Sequence, residues 1–284
     1  MPRISYVNGQ YVRHAVAAVH IEDRGYQFSD AVYEVIAIID GRLVDETLHF
    51  ERLERSLREI GMEMPFSRAH FVLKIRELLR LNRSRSGSLY IQVSRGVAPR
   101  DHKFPKAPVR PGVVMTVKPL RLPPAELVEK GVEVISVPDI RWKRPDIKSV
   151  SLLPNILAKE DAVRKGVYEA WLVADDGTVT EGTSTNAWII AGGAIVTRAA
   201  GHEILNGVTR LALLDIARAE GLKIEERAFT LDEALAADEA FLTSTSAFVM
   251  PIVRIDGKDI GDGSPGPKTR ALAKSYGTHL RQDA

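Results

Sequence analysis

Two turn signals close to the start of the chain constrain its fold more than any other feature. Asn8-Gly9 follows a strand-like run at residues 4–7, and Asp40-Gly41 follows a β-branched run at residues 32–39. Asparagine–glycine and aspartate–glycine pairs between apolar runs are the strongest short-range signals of a β-hairpin. The chain is therefore predicted to begin with antiparallel strands.

Helical and strand patterns alternate along the rest of the chain. Helices are predicted where apolar residues recur every three to four positions, at residues 48–60, 66–81, 153–165, 209–220 and 267–280. Ser67 is the candidate N-cap of the second of these helices. Strands are predicted where β-branched residues lie between turn signals, at residues 89–93, 113–117, 132–137, 169–173, 186–190, 194–196, 240–244 and 252–255. Hairpins and helices in succession predict an α/β protein of the α+β type.

Three prolines between residues 119 and 124 indicate where the chain divides. Proline clusters are typical of linkers, and a length of 284 residues suits two domains of ordinary size. We therefore predict an N-terminal domain at residues 1–120, a linker at 121–124 and a C-terminal domain at 125–284.

The composition excludes several classes of protein. The 39 Lys and Arg residues are balanced by 37 Asp and Glu residues, so no basic surface for nucleic acid is indicated. The chain has no cysteine, which excludes disulfides and thiolate chemistry, and its seven histidines show no metal-binding spacing. No apolar run reaches the roughly 18 residues of a membrane span, and residues 1–20 lack the apolar core of a signal peptide. A soluble cytoplasmic protein is expected.

Lys148 lies in an apolar stretch of a kind that activates a lysine. Ile147 precedes it, and Val150 and Leu152 follow it closely. A lysine near apolar surface loses its proton more readily, and the neutral amine is a nucleophile for an aldehyde. Covalent chemistry at an aldehyde is therefore one hypothesis for Lys148, beside the ordinary alternative of a surface lysine at a strand end.

Glu181 is a second candidate, within the polar run at residues 180–186, Thr-Glu-Gly-Thr-Ser-Thr-Asn. A carboxylate can hold a pyridine nitrogen protonated, and the protonated ring then withdraws electrons from a bound substrate. The alternative interpretation is a turn acid in a loop rich in threonine and serine.

Three parts of the chain are candidates for binding an anion. Residues 205–210 lead into a predicted helix, whose first backbone N–H groups and positive dipole end favour an anion. Residues 243–246 supply four hydroxyl groups after a predicted strand, and Arg52 supplies a cation on another predicted helix. The alternatives are a capped helix start, a polar strand end and a solvated arginine.

Arg100 and His102 form a candidate site for a carboxylate. They lie two positions apart in the loop after the strand at 89–93, so in an extended loop they point the same way. An arginine can bind a carboxylate through two parallel hydrogen bonds. Tyr33, in the predicted strand at 32–39, is a further candidate. The alternatives are an exposed basic loop and a core aromatic.

In combination and in this order, these motifs resemble the fold-type IV pyridoxal-phosphate aminotransferases, and within them the D-amino acid transaminases. The pair Arg100 and His102 is the motif that distinguishes the D-amino acid branch. One departure is Ser29-Asp30-Ala31, where the family usually has Gly-Asp-Gly. The matching segments cover nearly the whole chain and are residues 23–28, 32–35, 52–53, 100–102, 146–149, 181–182, 206–210 and 244–245.

The resemblance implies a role for each candidate residue. Lys148 is expected to form the Schiff base with pyridoxal 5′-phosphate and to move a proton, and Glu181 to hold the pyridine nitrogen. The residues implied in binding the phosphate are Arg52, Val208, Thr209, Ser244 and Thr245. Further cofactor contacts are implied for Ser184, Thr185, Asn186, Leu205 and Gly207, with Leu205 packed on the ring. The residues implied in binding the substrate carboxylate are Tyr33, Arg100 and His102.

The resemblance also implies a fold, an activity and an assembly. The expected fold has a small N-terminal α/β domain and a larger C-terminal domain with a pseudo-barrel sheet. The expected activity transfers the amino group of a D-amino acid such as D-alanine to a 2-oxo acid such as 2-oxoglutarate. The expected assembly is a homodimer with the site at the subunit interface. A branched-chain L-amino acid transaminase, a lyase similar to aminodeoxychorismate lyase and an inactive carrier remain as alternatives.

Overall fold

The computed structural model describes residues 3–120 and 122–282, apart from the side chain of Gln282. The described residues divide into two compact units. The first unit comprises residues 3–120 together with the short segment 147–151, and the second comprises residues 122–146 and 152–282. The segment around Lys148 thus belongs to the first unit, whereas the predicted division assigns it to the C-terminal domain. Arg121 in the predicted linker and the chain ends at 1–2 and 283–284 lie outside the described residues.

The first unit contains a six-stranded antiparallel sheet with three helices. The strands follow the order β2-β1-β6-β5-β3-β4 across the sheet. Their bounds are β1 Ile4–Val7, β2 Gln10–Arg13, β3 Ala31–Ile39, β4 Arg42–Leu43, β5 Gly87–Ser94 and β6 Gly112–Lys118, and those of the helices are α1 Arg24–Phe28, α2 Glu46–Glu59 and α3 Arg68–Asn82. Both predicted hairpins are present, with β1 paired to β2 and β3 paired to β4.

The two longer helices of this unit cover one face of its sheet. Leu53 on α2 and Ile75 on α3 join a buried cluster with core-facing strand residues such as Ile36. Successive strand residues point to opposite faces, so β3 places Tyr33 on the other, half-exposed face. Ile147 also belongs to the buried cluster, which anchors the residue before Lys148 in the core.

The second unit contains a nine-stranded mixed sheet with five helices in the described part of the chain. Eight strands follow the order β12-β11-β10-β13-β14-β7-β8-β9, and β15 pairs with β14. The strand bounds are β7 Val132–Pro138, β8 Glu169–Val173, β9 Val179–Gly182, β10 Asn186–Ala191, β11 Ala194–Thr197, β12 Ile224–Glu226, β13 Glu239–Ser244, β14 Phe248–Ile255 and β15 Lys258–Asp259. The helices are α4 Ala125–Lys130, α5 Leu153–Arg164, α6 Val208–Ala219, α7 Leu231–Leu235 and α8 Pro267–Gln282. The sheet curls into a half-barrel, since its β9 edge returns beside β10.

Both faces of this sheet are buried. Ile189 and Leu242 belong to a cluster on one face that includes Phe229. Their strand neighbours Trp188 and Phe241 point the opposite way and stack with ring centroids 5.3 Å apart. Near-continuous apolar strands are expected when both faces of a sheet are covered.

The predicted mixture of strands and helices is confirmed. The sequence patterns missed the short strands β9, β12 and β15 and the short helices α1, α4 and α7. In the described part of the chain, no helix is both long and apolar enough to span a membrane.

Candidate active site

Lys148 is held against β3 of the first unit by its backbone. Its carbonyl accepts a hydrogen bond from the backbone N–H of Tyr33 at 2.9 Å. Its own N–H donates to the hydroxyl of Ser56 on α2 at 3.3 Å, and Ser149 forms a bridge with Val32. The amine of Lys148 lies 4.3 Å from the centroid of the Tyr33 ring. The structure therefore brings together two of the predicted residues, Lys148 and Tyr33.

Tyr90 extends this arrangement and was missed by sequence reasoning. Its ring centroid lies 5.7 Å from that of Tyr33, and its hydroxyl donates to Oε1 of Gln92 at 2.8 Å. Burial, together with the nearby Tyr33, raises the pKa of Tyr90 to about 12, so it remains a neutral phenol at neutral pH. Tyr33 pairs with Gln92 across the strands. The alternation of β5 was therefore the available signal, because it places Tyr90 and Gln92 on one face.

Arg52 bonds to a buried acid that the sequence did not single out. Its Nε and Nη2 donate to the two carboxylate oxygens of Glu34 at 2.7 and 2.8 Å. His49 Nδ1 lies 2.7 Å from the same carboxylate. Burial alone would raise the pKa of Glu34, but the charge and hydrogen bonds of Arg52, aided by His49, hold it well below its usual range. The alternative that Arg52 is a solvated surface arginine is wrong, because its side chain is largely buried and paired with Glu34.

Arg100 and His102 lie in an exposed loop and pack against the same ring. The guanidinium carbon of Arg100 is 5.3 Å from the centroid of Phe28, and the ring of His102 is 5.6 Å from it. Arg24 donates to the carbonyl of Asp101 at 2.6 Å and so fixes the backbone between them. The loop therefore brings both side chains to the ring of Phe28, and their common binding role stays a prediction.

The segment Ser29-Asp30-Ala31, where the sequence departs from the usual family motif, leads from α1 into β3. Ser29 has a φ of 57°, a left-handed conformation that favours the glycine usual in the family. Asp30 accepts hydrogen bonds from Arg24 at 2.8 Å and from Arg95 at 2.7 Å. These two arginines outweigh the effect of burial and lower the pKa of Asp30. Asp30, the residue that matches the usual motif, therefore links Arg24 to Arg95.

Glu181 lies on β9 of the second unit and is 5% exposed. Its carboxylate accepts hydrogen bonds from Arg141, from Asn186 Nδ2 at 3.1 Å and from the backbone N–H of Leu205 at 3.2 Å. The alternative of a loop acid is wrong, because the residue is buried in a strand. Three donors converge on this carboxylate and favour its ionised form.

Arg141, which sequence reasoning missed, forms an ion pair with Glu181. It also donates to both carboxylate oxygens of Asp139, at 2.9 and 2.7 Å. Burial acts to lower the pKa of Arg141, but the bonds and charges of Asp139 and Glu181 outweigh it and raise the pKa. No sequence signal identifies this pairing, because Arg141 and Glu181 lie 40 positions apart.

The start of α6 has the open backbone that the anion prediction requires. Gly207 is its N-cap, and no side chain in the described part of the chain caps the helix. A Cβ on Gly207 would lie 2.1 Å from Oδ1 of Asn186, so only glycine fits here. Asn186 Nδ2 also donates to the carbonyl of Leu205 at 2.8 Å. Asn186 thus ties the strand that follows Glu181 to the segment that leads into Thr209.

Several predicted hydroxyl groups have partners of their own. Ser184 and Thr185 each approach the buried carboxylate of Glu169 at 3.5 Å. Ser244 accepts a hydrogen bond from the backbone N–H of Ala247 at 3.0 Å. The cofactor contacts of these residues and of Thr245 therefore remain predictions.

Each unit supplies chemical groups of its own. The first unit supplies an amine, a guanidinium and two phenols, and the second supplies a fixed carboxylate and an uncapped helix start. No cluster of three potential metal ligands occurs among the described residues.

The comparisons with other sequences agree on one family. The model of the family described as amino-transferase class IV matches residues 31–255. The D-alanine aminotransferase of Bacillus licheniformis is 45% identical over 263 residues, which is 93% of this chain and 92% of that protein. The D-alanine aminotransferase of Staphylococcus haemolyticus is 42% identical over 275 residues, which is 97% of each chain.

Solved structures share the fold. The branched-chain amino acid aminotransferase of Escherichia coli superposes with a TM-score of 0.90 at 22% identity, covering 98% of this chain and 94% of that one. The branched-chain aminotransferase of the thermophilic archaeon Thermoproteus uzoniensis, determined with norvaline, gives 0.86 at 26% identity, covering 99% and 96%. A PLP-bound hypothetical aminotransferase from Mycobacterium tuberculosis gives 0.83 at 21% identity, covering 99% and 100%.

Proposed function

The chain belongs to the class IV aminotransferase family, and on this premise we propose that it transfers the amino group of a D-amino acid, D-alanine in particular, to a 2-oxo acid such as 2-oxoglutarate. The observation that carries the proposal is the 42–45% identity to D-alanine aminotransferases over nearly the whole chain. Branched-chain aminotransferases share the fold at only 22–26% identity. This lower identity supports an L-amino acid substrate for this chain less strongly than the D-alanine aminotransferases support a D-amino acid.

The residues present fit pyridoxal 5′-phosphate. The uncapped start of α6 suits its phosphate, and the absence of a Cβ at Gly207 leaves room for the tight approach to Asn186. The anionic Glu181 suits a protonated pyridine nitrogen. When bound, this cofactor supplies an aldehyde that takes up the amino group and a ring that withdraws electrons from the substrate.

Lys148 is proposed to hold the cofactor aldehyde through its amine. The two backbone hydrogen bonds to Tyr33 and Ser56 fix where this side chain starts. Once displaced by the substrate amine, Nζ of Lys148 would take the proton from the substrate Cα and deliver it to C4′, the aldehyde carbon of the cofactor.

Glu181 is proposed to bind the N–H of the cofactor's pyridine ring. Arg141, Asn186 and Leu205 hold its carboxylate in one orientation. Because three donors already favour the ionised form, Glu181 is suited to accept a further hydrogen bond rather than donate one. Leu205 would in addition pack on the ring.

The phosphate is proposed to bind one cation together with backbone amides and side-chain hydroxyls. The set consists of Arg52, Val208, Thr209, Ser244 and Thr245, with further cofactor contacts from Ser184, Thr185, Asn186 and Gly207. Charge-assisted hydrogen bonds to phosphate oxygens are about twice as strong as neutral ones, so Arg52 would contribute most.

Arg100, His102 and Tyr33 are proposed to bind the α-carboxylate of the substrate. The first two side chains contact the same ring, that of Phe28. An arginine that binds a carboxylate discriminates against amines that lack one, which disfavours an (R)-amine as the substrate.

We also propose a homodimer in the cytoplasm. Leu153, Ile156 and Leu157 on α5 are 65%, 59% and 56% exposed, an apolar surface that suits burial against a second copy. The cysteine-free sequence suits a reducing compartment. Light scattering should give the mass of two chains, and Ile156→Glu should give that of one.

The test of the proposed reaction is a panel of D- and L-amino acids with 2-oxoglutarate. We expect D-alanine to yield pyruvate and D-glutamate in equal amounts, and to yield nothing without the oxo acid. Turnover of L-leucine but not D-alanine would instead identify a branched-chain L-amino acid transaminase. Pyruvate release without an acceptor would identify a lyase.

A further inference from the structure

Glu34, His49 and Arg52 form a compact cluster in the first unit, which we call the buttress. Glu34 accepts two hydrogen bonds from Arg52, at 2.7 and 2.8 Å, and lies 2.7 Å from Nδ1 of His49. Because an ionised carboxylate only accepts hydrogen bonds, Nδ1 of His49 carries the proton. Three N–H groups therefore fix the acid, and the acid fixes the guanidinium.

We propose that Glu34 and His49 are positioning residues, which hold the guanidinium of Arg52 in the orientation that binds the phosphate of the cofactor. This inference rests on the proposed function, in which Arg52 binds the phosphate of the cofactor.

The burial of the three side chains supports this role. Glu34 is 1% exposed and His49 3%, whereas Arg52 is 10% exposed. The acid and the imidazole thus lie inside, and the guanidinium reaches the edge of the unit. A buried ion pair adds little net stability compared with apolar residues of the same size, so stability alone does not account for the buttress. A guanidinium that is already oriented loses less freedom when it binds an oxyanion.

The helix that carries Arg52 also fixes the backbone of Lys148. His49, Arg52 and Ser56 are spaced three and four positions apart, so they lie on one face of α2. Ser56 accepts the hydrogen bond from the backbone N–H of Lys148 at 3.3 Å. Glu34 is the strand neighbour of Tyr33, which donates to the carbonyl of Lys148. The buttress therefore sets the cation on the same two elements that set the lysine.

Charge and orientation make opposite predictions for the loss of Glu34. The carboxylate partly cancels the positive charge of Arg52, so by charge alone its removal should tighten phosphate binding. If orientation governs, removal should weaken phosphate binding, because the guanidinium loses the acid that orients it. The proposal requires the second outcome.

The experiment measures cofactor binding by the full-length protein. Wild type, Glu34→Gln, His49→Leu and Arg52→Gln are dialysed, and each is reloaded with pyridoxal 5′-phosphate or with pyridoxal, which lacks the phosphate. We expect the dissociation constant for pyridoxal 5′-phosphate to rise about tenfold in Glu34→Gln and His49→Leu, the size of effect typical of groups that orient a ligand-binding residue. The constant for pyridoxal should not change. His49→Asn keeps a donor close to Nδ1 and should recover most of the affinity.

Glu46→Gln is the matched control, since Glu46 lies on the same helix and pairs with the exposed Arg68 at 2.9 Å. It should bind both ligands as wild type does. Unchanged or tighter binding by Glu34→Gln and His49→Leu, with weaker binding by Arg52→Gln, overturns the positioning role but not the phosphate role of Arg52. Equal loss of both ligands identifies a purely structural cluster and overturns the proposal too.

Two further outcomes remain decisive. If Glu34→Gln does not fold, the comparison of His49→Leu with His49→Asn tests the same proposal, and equal affinities for the phosphorylated ligand overturn it. If wild type binds pyridoxal 5′-phosphate no better than pyridoxal, the fault lies in the proposed function, and the positioning role falls with it.

Discussion

Arg141 donates a hydrogen bond to the carboxylate of Glu181, and both side chains are almost fully buried. Arg141 also pairs with Asp139, so one cation bonds to two acids. A buried acid that loses its partner is strongly destabilising. The pair therefore couples the folding of the second unit to the ionisation of Glu181.

Arg141→Met should lower the free energy of unfolding by about 3–5 kcal/mol, because it removes the guanidinium that bonds to the buried Glu181 and to the partly buried Asp139. Arg254→Met is the control, since Arg254 is 45% exposed and pairs with an exposed aspartate. It should cost less than about 1 kcal/mol. Urea denaturation measures both, and equal losses would contradict the special role of Arg141.

Lys148→Ala should abolish amino transfer, because one amine both holds the cofactor and moves the proton. Loss of a proton-transferring group alone lowers rates by roughly 10²- to 10⁴-fold. The exposed Lys143, changed to Ala, is the control and should retain the wild-type rate. Circular dichroism should show both variants folded. Turnover by Lys148→Ala within tenfold of wild type would refute its catalytic role.

Arg100→Ala should raise KM for D-alanine and for 2-oxoglutarate about 10- to 100-fold. Hydrogen bonds to charged groups contribute roughly 1.5–3 kcal/mol, and each 1.4 kcal/mol corresponds to a factor of ten. Lys103→Ala removes a cation from the same exposed loop and should leave KM unchanged. Initial rates at several substrate concentrations give KM for the wild type and for both variants. An unchanged KM in Arg100→Ala would exclude carboxylate binding by Arg100.

Phe28→Leu should raise KM about two- to fivefold and leave kcat nearly unchanged. The ring contacts both Arg100 and His102, and an exposed cation–π contact contributes about 0.5–1 kcal/mol. Tyr26→Leu changes a 75% exposed aromatic on the same short helix and is the control. If the two variants behave alike, the ring of Phe28 does not orient the loop.

Local patterns in the sequence predicted most of the regular elements. The turns at Asn8-Gly9 and Asp40-Gly41 are correct, and all four residues adopt positive φ. Ser67 caps α3 by accepting a hydrogen bond from the backbone N–H of His70, as predicted. These features depend on neighbours within a few positions, which the sequence displays directly.

Features that depend on distant partners were beyond reach of the sequence. Strand β9 has only four residues, all buried, so it shows no alternation. The β-bridge between Val32 and Ser149 joins residues that are far apart in the sequence. Through it the segment around Lys148 belongs to the first unit. The partner of Arg52 was also missed, because a glutamate in an apolar strand gives no sign of which cation it meets.

Acid should destabilise the first unit through His49 and Glu34. Burial lowers the pKa of His49 from 6.5 and outweighs the opposing charge of Glu34. For Glu34, burial would raise the pKa, but Arg52 and His49 together lower it. Both folded-state pKa values lie below the unfolded ones, so the unfolded chain binds these protons first as the pH is lowered. The free energy of unfolding therefore decreases as the pH falls. The His49 contribution begins below about pH 6.5 and reaches at most about 1.4 kcal/mol per pH unit. That of Glu34 follows below its ordinary pKa of 4.5.

His49→Asn cannot titrate, so its unfolding free energy should fall less steeply than that of wild type between about pH 6.5 and pH 5. Other acids with lowered pKa, such as Asp30, contribute equally to both proteins and cancel in the comparison. Urea denaturation at several pH values across this window measures the two slopes. Parallel slopes would mean that His49 binds its proton equally in the folded and unfolded chains, and the neutral imidazole of the buttress would then be wrong.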